Sequence, residues 1–398
     1  MDALDLRNDD ARLNNLTGPP VRGDDFFGRR AFMHQLLSDL DGNNLLLLAP
    51  RRVGKTSILL KLGEVATSQN FSFVYLDVSG AVDELGLIEQ LVDAVLHATG
   101  GETVLRWLKE GPAGAALAHI ESVSAGPIRF KVGTPVASWR DLGENLTHAL
   151  GNLDRRLVVA IDELPVMVLE LLKADDGATR VRRLLNWFRH QRQRHPNVRW
   201  LLAGSIGLDT VAKLHNLQPT INDLKILSVD AFDPETADSF LERLSWSYSL
   251  ELSQGVKDEI VERLGWALPY FLQLVFSELR QQAGPIDKAA VGSALHTLIT
   301  KRSSYFEGWY QRLDEQLGPE RAAWAEVALS ACAKPGGASL DTLTQAMSAA
   351  VPDTRDRKRA LEFTLSVLTT DGYVVRVGER VVFRSPLLRA WWERYHGE

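Results

Sequence analysis

Short apolar runs alternate with helically patterned segments over the first 230 residues of the chain. Five runs rich in leucine, β-branched or aromatic residues predict strands at 44–49, 71–78, 156–163, 198–205 and 224–230. Between them, apolar side chains recur every three or four residues, as around Leu85, Ile88 and Leu91. Strands that alternate with helices predict a parallel sheet covered by helices, which is an α/β fold.

The pattern changes after Asp233, where predicted helices follow one another without strands. Helices are predicted at 234–247, 253–264, 268–283, 286–301, 320–332, 338–348 and 357–370. Two β-rich runs, 373–377 and 381–384, then flank Gly378-Glu379-Arg380 as a hairpin that leads into a last helix. Three helices followed by a hairpin is the element order of a winged helix-turn-helix.

These changes of pattern divide the chain into four predicted parts. Residues 1–22 form an N-terminal arm, 23–232 the α/β core, 233–302 a helical lid and 303–398 a winged-helix domain. Within the core, the stretch 102–156 is less regular and predicts an insertion on one face of the sheet. This insertion contains a predicted hairpin at 122–132 and a predicted helix at 139–153.

Composition excludes several classes of protein. The chain has 398 residues, of which 45% are hydrophobic and 24% charged, and its formal net charge is −6. This balance provides no overall positive field for nucleic acid, although a local basic patch is compatible with it. Because Cys332 is the only cysteine, an internal disulfide and a cysteine-based zinc site are excluded. Without an apolar run of about 18 residues or a signal peptide, we expect a cytoplasmic protein with no membrane partner.

The first predicted strand runs into a loop that contains a glycine, a lysine and a threonine. The loop reads Ala49-Pro50-Arg51-Arg52-Val53-Gly54-Lys55-Thr56-Ser57 and precedes an apolar-periodic helix. A strand, a tight loop and a helix in this order are the context of a phosphate-binding loop, whose backbone N–H groups hold phosphates. Residues 50–57 are therefore predicted to contact a nucleotide, with Lys55 at the β- and γ-phosphates and Thr56 on Mg²⁺. Ala49 replaces the first glycine of the pattern, and its small side chain still lets the loop turn.

The third predicted strand ends in Asp162 and Glu163. Its near-continuous apolar run suits a strand buried on both faces, and its acidic end would lie at the carboxyl edge of the sheet, where α/β proteins bind ligands. Asp162 is predicted to support Mg²⁺ through its water shell, and Glu163 to activate the attacking water. The fourth run ends at Ser205, which is a candidate sensor of the γ-phosphate and a candidate helix cap.

Two further segments admit both a functional and a structural interpretation. Phe27 and Gly28 precede the loop and could line an adenine pocket or make an ordinary helix entry. The predicted helix 178–194 carries six arginines, which indicate either a solvated basic face or a surface for phosphate or an acidic partner.

Taken in order, these motifs resemble those of the P-loop ATPases in the AAA+-related STAND group, specifically its archaeal-type, MNS-like clade. The matching stretches are Phe27-Gly28-Arg29, Ala49 to Ser57, Ala160-Ile161-Asp162-Glu163-Leu164-Pro165, Gly204-Ser205-Ile206-Gly207-Leu208, Gly265 to Tyr270, and Phe383-Arg384-Ser385-Pro386-Leu387-Leu388-Arg389-Ala390-Trp391-Trp392. The glycine–proline signature of this family is tighter than the spacing from Gly265 to Pro269. Pro269 is therefore the residue that we carry over as a nucleotide contact.

The resemblance implies a three-layer P-loop core of the AAA+ or STAND type, a helical lid that carries Pro269, and a C-terminal winged helix. It also implies an ATPase that uses ATP, ADP and Mg²⁺, with Lys55, Glu163 and Ser205 as catalytic residues. Thr56 and Asp162 would hold the metal. No arginine finger is identifiable.

Members of such groups often act as nucleotide-controlled switches with slow turnover. The resemblance therefore implies that the lid or the winged helix engages a protein partner, that DNA is a candidate partner, and that a homo-oligomer is compatible with the sequence. Two alternatives stay open. One is a DNA-binding initiator or transposition-type ATPase, and the other is a scaffold that nucleotide stabilises with negligible hydrolysis.

Overall fold

The structure is a computed structural model that describes residues 11–98, 138–204 and 208–396. It divides into two compact units whose segments interleave along the chain. The first unit consists of the described residues in Arg29–Leu48 and Lys55–Ser228, and the second consists of 11–28, 49–54 and 229–396. The hairpin predicted at 122–132, most of the predicted insertion and Ser205 lie outside the described residues.

The first unit is built on a parallel sheet. Its strands β1 to β5 are Leu45–Leu48, Ser72–Asp77, Leu157–Asp162, Val198–Ala203 and Lys225–Ser228. Its described helices, α1 to α7, are Arg30–Gly42, Lys55–Val65, Glu84–Ala98, Trp139–Gly151, Leu164–Leu172, Gly177–Arg194 and Leu208–Leu214. All strand pairs are parallel, in the order β2-β3-β4-β1-β5, so the predicted α/β class and parallel sheet are confirmed.

Strand β3 lies inside this sheet, and every one of its residues is buried. This burial explains its continuous apolar run, because a strand covered on both faces has no solvent side on which to place polar residues. The core around it includes Trp200 of β4 and Phe188 of α6. Since the strands are parallel, the residues that follow β1, β3 and β4 leave the sheet at the same edge.

Helix α5 directly follows β3, although no pattern in the sequence predicts a helix between residues 163 and 178. The segment is apolar on nearly all sides, so it lacks the amphipathic period by which a surface helix is recognised. Pro165 lies in its first turn, where a missing N–H has no cost. This helix fixes the direction in which the chain leaves Asp162 and Glu163.

The arginines of α6 do not form one solvated face. Arg192 is only 4% exposed and binds both carboxylate oxygens of Asp223 as well as the carbonyl of Thr220. Arg180 makes a two-point ion pair with the buried Glu84. Both arginines therefore join α6 to neighbouring segments of the first unit, which corrects the interpretation of one uniformly solvated face. Binding of phosphate or an acidic partner by the exposed Arg182, Arg183 and Arg194 stays a prediction.

The second unit consists of helices and a small antiparallel sheet. Its helices α8 to α15 are Pro234–Tyr248, Gln254–Leu264, Pro269–Leu279, Lys288–Lys301, Ser304–Ala333, Leu340–Ala346, Thr354–Thr370 and Pro386–His396. Strands β6 to β8 are Ala338–Ser339, Val374–Val377 and Arg380–Phe383, and they pair in the order β6-β8-β7. Helix α12 begins before the helix predicted at 320–332 and includes it, and Gly318, with a φ of 72°, interrupts α12.

From α12 onward, the order is helix, short strand, two helices and hairpin, which agrees with the order predicted for a winged helix. The N-terminal segment 11–28 packs within this same unit. Leu13 is buried, and its N–H donates to Ser247 Oγ at 2.9 Å. Among the described residues, no helix is long and apolar enough to cross a membrane.

Candidate functional site

The start of α2 and the end of β3 meet in the first unit. The hydroxyl of Thr56, in the first turn of α2, donates a hydrogen bond of 2.8 Å to Asp162 Oδ2. Lys55 precedes it and is 6% exposed. The hydroxyl and the carboxylate that the sequence assigns to Mg²⁺ are thus in direct contact, although 106 positions separate them along the chain.

Asp162 is a buried carboxyl, 1% exposed, at the end of the sheet. Its Oδ1 accepts a hydrogen bond of 3.0 Å from the N–H of Glu163. Burial and then the neighbouring charge of Glu163 raise the pKa of Asp162, against the opposing effects of the Thr56 hydrogen bond and the Lys55 charge. A cation beside this carboxylate would favour its ionised form, so the donor set fits a divalent metal.

Glu163 has an unusual backbone conformation. Its φ of 58° and ψ of 25° lie in the left-handed region, and it directly precedes the first residue of α5. For a residue other than glycine, this conformation costs about 1–3 kcal/mol and is found most often at functional sites. The side chain is half-buried. The strained turn between β3 and α5 therefore coincides with the residue predicted to activate water.

The loop before α2 also contains left-handed positions. Arg52 has a φ of 66° and Gly54 a φ of 100°. Left-handed residues next to right-handed ones turn successive N–H groups towards one concave side, which suits an anion. No atom lies within 4 Å of the position that a Gly54 Cβ would take, so the backbone angle rather than crowding requires glycine there. Val53 and Ser57 are buried.

The loop residues 49–54 group with the second unit, and their side chains contact residues of that unit. Arg51 donates to the carbonyl oxygen of Gly308. The guanidinium carbon of Arg52 lies 4.5 Å from the centre of the Tyr270 ring. Pro50 packs against Gly372. The sequence predicted nucleotide contacts for Pro50, Arg51 and Arg52, and it gave no indication of these protein contacts.

Phe27, Gly28 and Pro269 also lie in the second unit. The ring of Phe27 is 5.4 Å from Phe240 and 6.4 Å from Phe232, centre to centre. Gly28 has a φ of 73°, and a Cβ there would lie 2.5 Å from Thr236 Cγ2. Pro269 is the first residue of α10. These contacts support the structural interpretation of Phe27 and Gly28 as a packed helix entry, and their contact with adenine stays a prediction.

Tyr75 is a site residue that sequence reasoning missed. Its hydroxyl lies 3.5 Å from Asp162 Oδ2, and burial followed by the Asp162 charge raises its pKa, so the phenol stays protonated. The available signal was the end of β2, because Asp77 is the register partner of Asp162 in the neighbouring parallel strand. Using that signal required knowing that β2 and β3 are adjacent.

Comparison with known proteins identifies the fold. The structure is similar to a Walker-type ATPase of Pyrococcus abyssi, with a TM-score of 0.64, 19% identity, and 95% of this chain and 99% of that chain covered. It is also similar to the ORC2 protein of Aeropyrum pernix, solved as ADPNP–ADP complexes, with a TM-score of 0.52, 14% identity, and 96% and 95% of the two chains covered. No protein-family model and no curated protein matches the sequence. The chain therefore has the α/β fold of P-loop ATPases, followed by a helical region.

Proposed function

We propose that the chain is a Mg²⁺-dependent ATPase that binds ATP through residues 50–57 and acts as a nucleotide-controlled switch. The observation that carries this proposal is the 2.8 Å hydrogen bond between Thr56 and the buried Asp162. Among the described residues, no group of three or more His, Cys, Asp or Glu could hold a metal ion. A magnesium ion here would take its remaining ligands from water and phosphate, as this metal usually does.

Each residue of the site has a defined task in this proposal. Backbone N–H groups of the loop and Lys55 bind the phosphates, and Thr56 and Asp162 hold the metal, the carboxylate through water. Bound Mg²⁺ would neutralise charge on the phosphates. Glu163 orients the attacking water and accepts its proton, and Ser205 senses the γ-phosphate. The narrower assignment to the STAND group and its MNS-like clade rests on the order of the motifs.

Calorimetric titration with ATP, with and without Mg²⁺, tests the site. We expect Lys55→Ala to weaken ATP binding by about a hundredfold, because a buried cation that contacts two phosphates is lost. Lys173→Ala is the matched control, since its side chain is 71% exposed and forms an ion pair with the nearby Glu170. Equal binding by wild type and Lys55→Ala would contradict the site.

Turnover by Glu163→Gln separates an ATPase from a nucleotide-stabilised scaffold. We expect this variant to bind ATP like wild type and to hydrolyse it about 10²–10⁴-fold more slowly, because a general base is removed. A scaffold would show no turnover in either protein while ATP still raises the melting temperature of both.

The output is proposed to pass through the helical second unit to a protein partner, and DNA stays the alternative because several cations of this unit are exposed. Helix α14 begins with exposed Arg355, Lys358 and Arg359, and exposed Arg376 lies on the hairpin. Arg357 is not one of these exposed cations, because it is half-buried and donates to the carbonyl of Val351. These exposed cations would suit phosphates or an acidic protein surface.

Salt dependence distinguishes the two partners. If these side chains bind DNA, the logarithm of the association constant should fall linearly with the logarithm of the salt concentration. Replacing Arg355, Lys358 and Arg359 by Gln should reduce the slope of that line by about three units. Duplex DNA binding that is absent, or that is insensitive to salt and to these substitutions, favours the protein partner.

A further inference from the structure

Three consecutive residues of the phosphate-binding loop each pack against a different segment of the second unit. Pro50 lies against Gly372, where an added Cβ would be 2.9 Å from Pro50 Cβ. Arg51 Nη1 donates to the carbonyl oxygen of Gly308 in α12. Arg52 stacks on Tyr270 in α10. We call Tyr270, Gly308 and Gly372 the loop seat.

Two of the three residues of the loop seat are glycines, and the contacts with Pro50 and Arg51 require that these positions have no side chain. A Cβ at Gly308 would lie 3.0 Å from Arg51 Nη1 and 3.1 Å from Nη2, so a side chain there would require the guanidinium to shift by a few tenths of an ångström from its place at the carbonyl. Gly372 has a φ of 85°, and a Cβ there would also lie 2.6 Å from Trp266 Cη2. Glycine inside a helix is unfavourable relative to alanine. The space that Arg51 occupies gives a physical reason for glycine at position 308.

The charge of Arg51 is poorly balanced in this position. Burial, followed by the positive charges of Arg312 and Arg52, lowers its pKa. Within the described part of the chain, no carboxylate forms an ion pair with it. A neutral carbonyl oxygen is a weaker partner for a guanidinium than a phosphate, which can accept two parallel charge-assisted hydrogen bonds. An anion bound to the same loop would therefore compete with Gly308 for Arg51.

We propose that Arg51 exchanges between the Gly308 carbonyl and a nucleotide phosphate, so that the loop seat restrains ATP binding and senses its arrival. The inference rests on the proposed function, because it requires phosphate on residues 50–57. A conformational equilibrium can be shifted only by a ligand with different affinities for its two states. Here the difference is the Arg51–phosphate contact, which forms only when Arg51 has left Gly308.

Gly308→Ala tests the exchange without endangering the fold. Alanine favours the helix, and its Cβ would displace only the flexible end of Arg51. We expect the Kd for Mg·ATP to fall about tenfold, the scale of one hydrogen bond to a charged group. Gly292→Ala in α11 is the matched control, since its Cβ would meet Arg263 Nη1 at an ordinary 3.5 Å. Thermal unfolding verifies that both variants are folded.

The same substitution in an Arg51→Gln background isolates the contact. We expect Gly308→Ala to leave the Kd of Arg51→Gln unchanged, because the competing guanidinium is absent. Unchanged or weaker ATP binding by Gly308→Ala alone overturns the proposal, and so does an equal gain in both backgrounds. Lys55→Ala, titrated in parallel, distinguishes the two failures. If it loses ATP while Gly308→Ala behaves like Gly292→Ala, the nucleotide site stands and only the loop seat fails.

Discussion

At the scale of single residues, Asp162 shows how the proposed metal-binding role of one buried side chain carries a stability cost. The carboxyl lies at the end of a fully buried strand and contacts Thr56, Glu163 and Tyr75. Burial and the charge of Glu163 raise its pKa. A raised pKa means that ionisation is less favourable in the folded chain than in the unfolded chain. A bound metal would favour the ionised carboxylate. Removal of the carboxylate should therefore raise the stability of the ligand-free chain and weaken metal binding.

We therefore expect Asp162→Asn to be more stable than wild type at pH 7 without ligand. The stability linked to a raised carboxyl pKa is present below the unfolded pKa and lost as pH rises through the folded pKa, so the advantage of the variant should shrink on acidification. ATP at about a hundred times its Kd should stabilise wild type by about 2.7 kcal/mol with Mg²⁺, and the variant should lose that dependence on Mg²⁺. Thermal melts across pH measure both effects.

Asp77→Asn is the control for this experiment. Asp77 is the register partner of Asp162 on β2, and its side chain is exposed. A variant of Asp162 that is less stable at pH 7, or that keeps the full Mg²⁺ response, would contradict this view of the buried carboxyl.

Gly28 is the second residue whose replacement should be costly. Its φ of 73° disfavours other residues, and an added Cβ would lie 2.5 Å from Thr236 and 3.0 Å from Phe232. We expect Gly28→Ala to lower the free energy of unfolding by about 2 kcal/mol from strain and overpacking. Gly18→Ala, where no atom lies within 4 Å, should be nearly neutral. Denaturant titration of the two variants measures this difference in stability, and equal unfolding midpoints would refute the packing argument.

At the scale of elements, helix α6 is anchored through the buried Arg192, which pairs with the exposed residue Asp223. Arg192 Nε and Nη2 lie 2.8 and 2.7 Å from the two oxygens of Asp223. Burial alone would raise the pKa of Asp223, but the hydrogen bond and charge of Arg192 outweigh it and lower the pKa. The pair therefore joins α6 to the segment just before β5.

Breaking this pair should destabilise the first unit. We expect Arg192→Met to reduce the free energy of unfolding by about 1.5–3 kcal/mol at pH 7, because the charged hydrogen bonds to Asp223 are lost while this exposed carboxylate stays hydrated. Stability tied to a lowered carboxyl pKa is present above the unfolded pKa and lost as pH falls through the folded pKa, so the deficit should diminish in acid. Urea unfolding at several pH values measures it. Arg182→Met on the exposed side of the same helix should change stability by less than about 0.5 kcal/mol; an equal loss in both variants would argue against the ion pair.

At the scale of the whole molecule, each of the two units combines segments that are distant from one another along the chain. Residues 11–28 belong to the same unit as 229–396, whereas the sequence pattern predicts an N-terminal arm that precedes the core. Arg243 donates to the carbonyl of Ala11, and Leu13 is 5% exposed. Truncation at the N-terminus should therefore affect elements that lie more than two hundred positions away.

We expect deletion of residues 1–20 to speed hydrogen exchange in α8 and α10, with no change in β3 and β4. Loss of the buried Leu13 alone removes about 1.5–3 kcal/mol of apolar burial from the second unit. Comparison with deletion of residues 1–10 isolates the contacts of 11–20. Equal protection of α8 in the two truncations would show that the segment contributes no stability.

The sequence by itself determined most elements and pointed to the residues of the candidate site. The alternation of apolar runs and helical periods depends on neighbouring residues, so β1 to β5 and most helices could be placed from local pattern. The Lys55-Thr56 and Asp162-Glu163 pairs were recognisable because each follows an apolar strand. Helix α5 escaped prediction because uniform apolarity carries no period.

The tertiary structure decided which of these segments meet. Strand order is set by packing between distant parts of the chain, and only that order brings Thr56 to Asp162 and places Tyr75 beside them. Packing likewise gave the buried Arg192 a carboxylate partner and directed Arg51 to Gly308. Local residue patterns contain no information on such contacts, because their free energy depends on partners that folding brings together from remote positions.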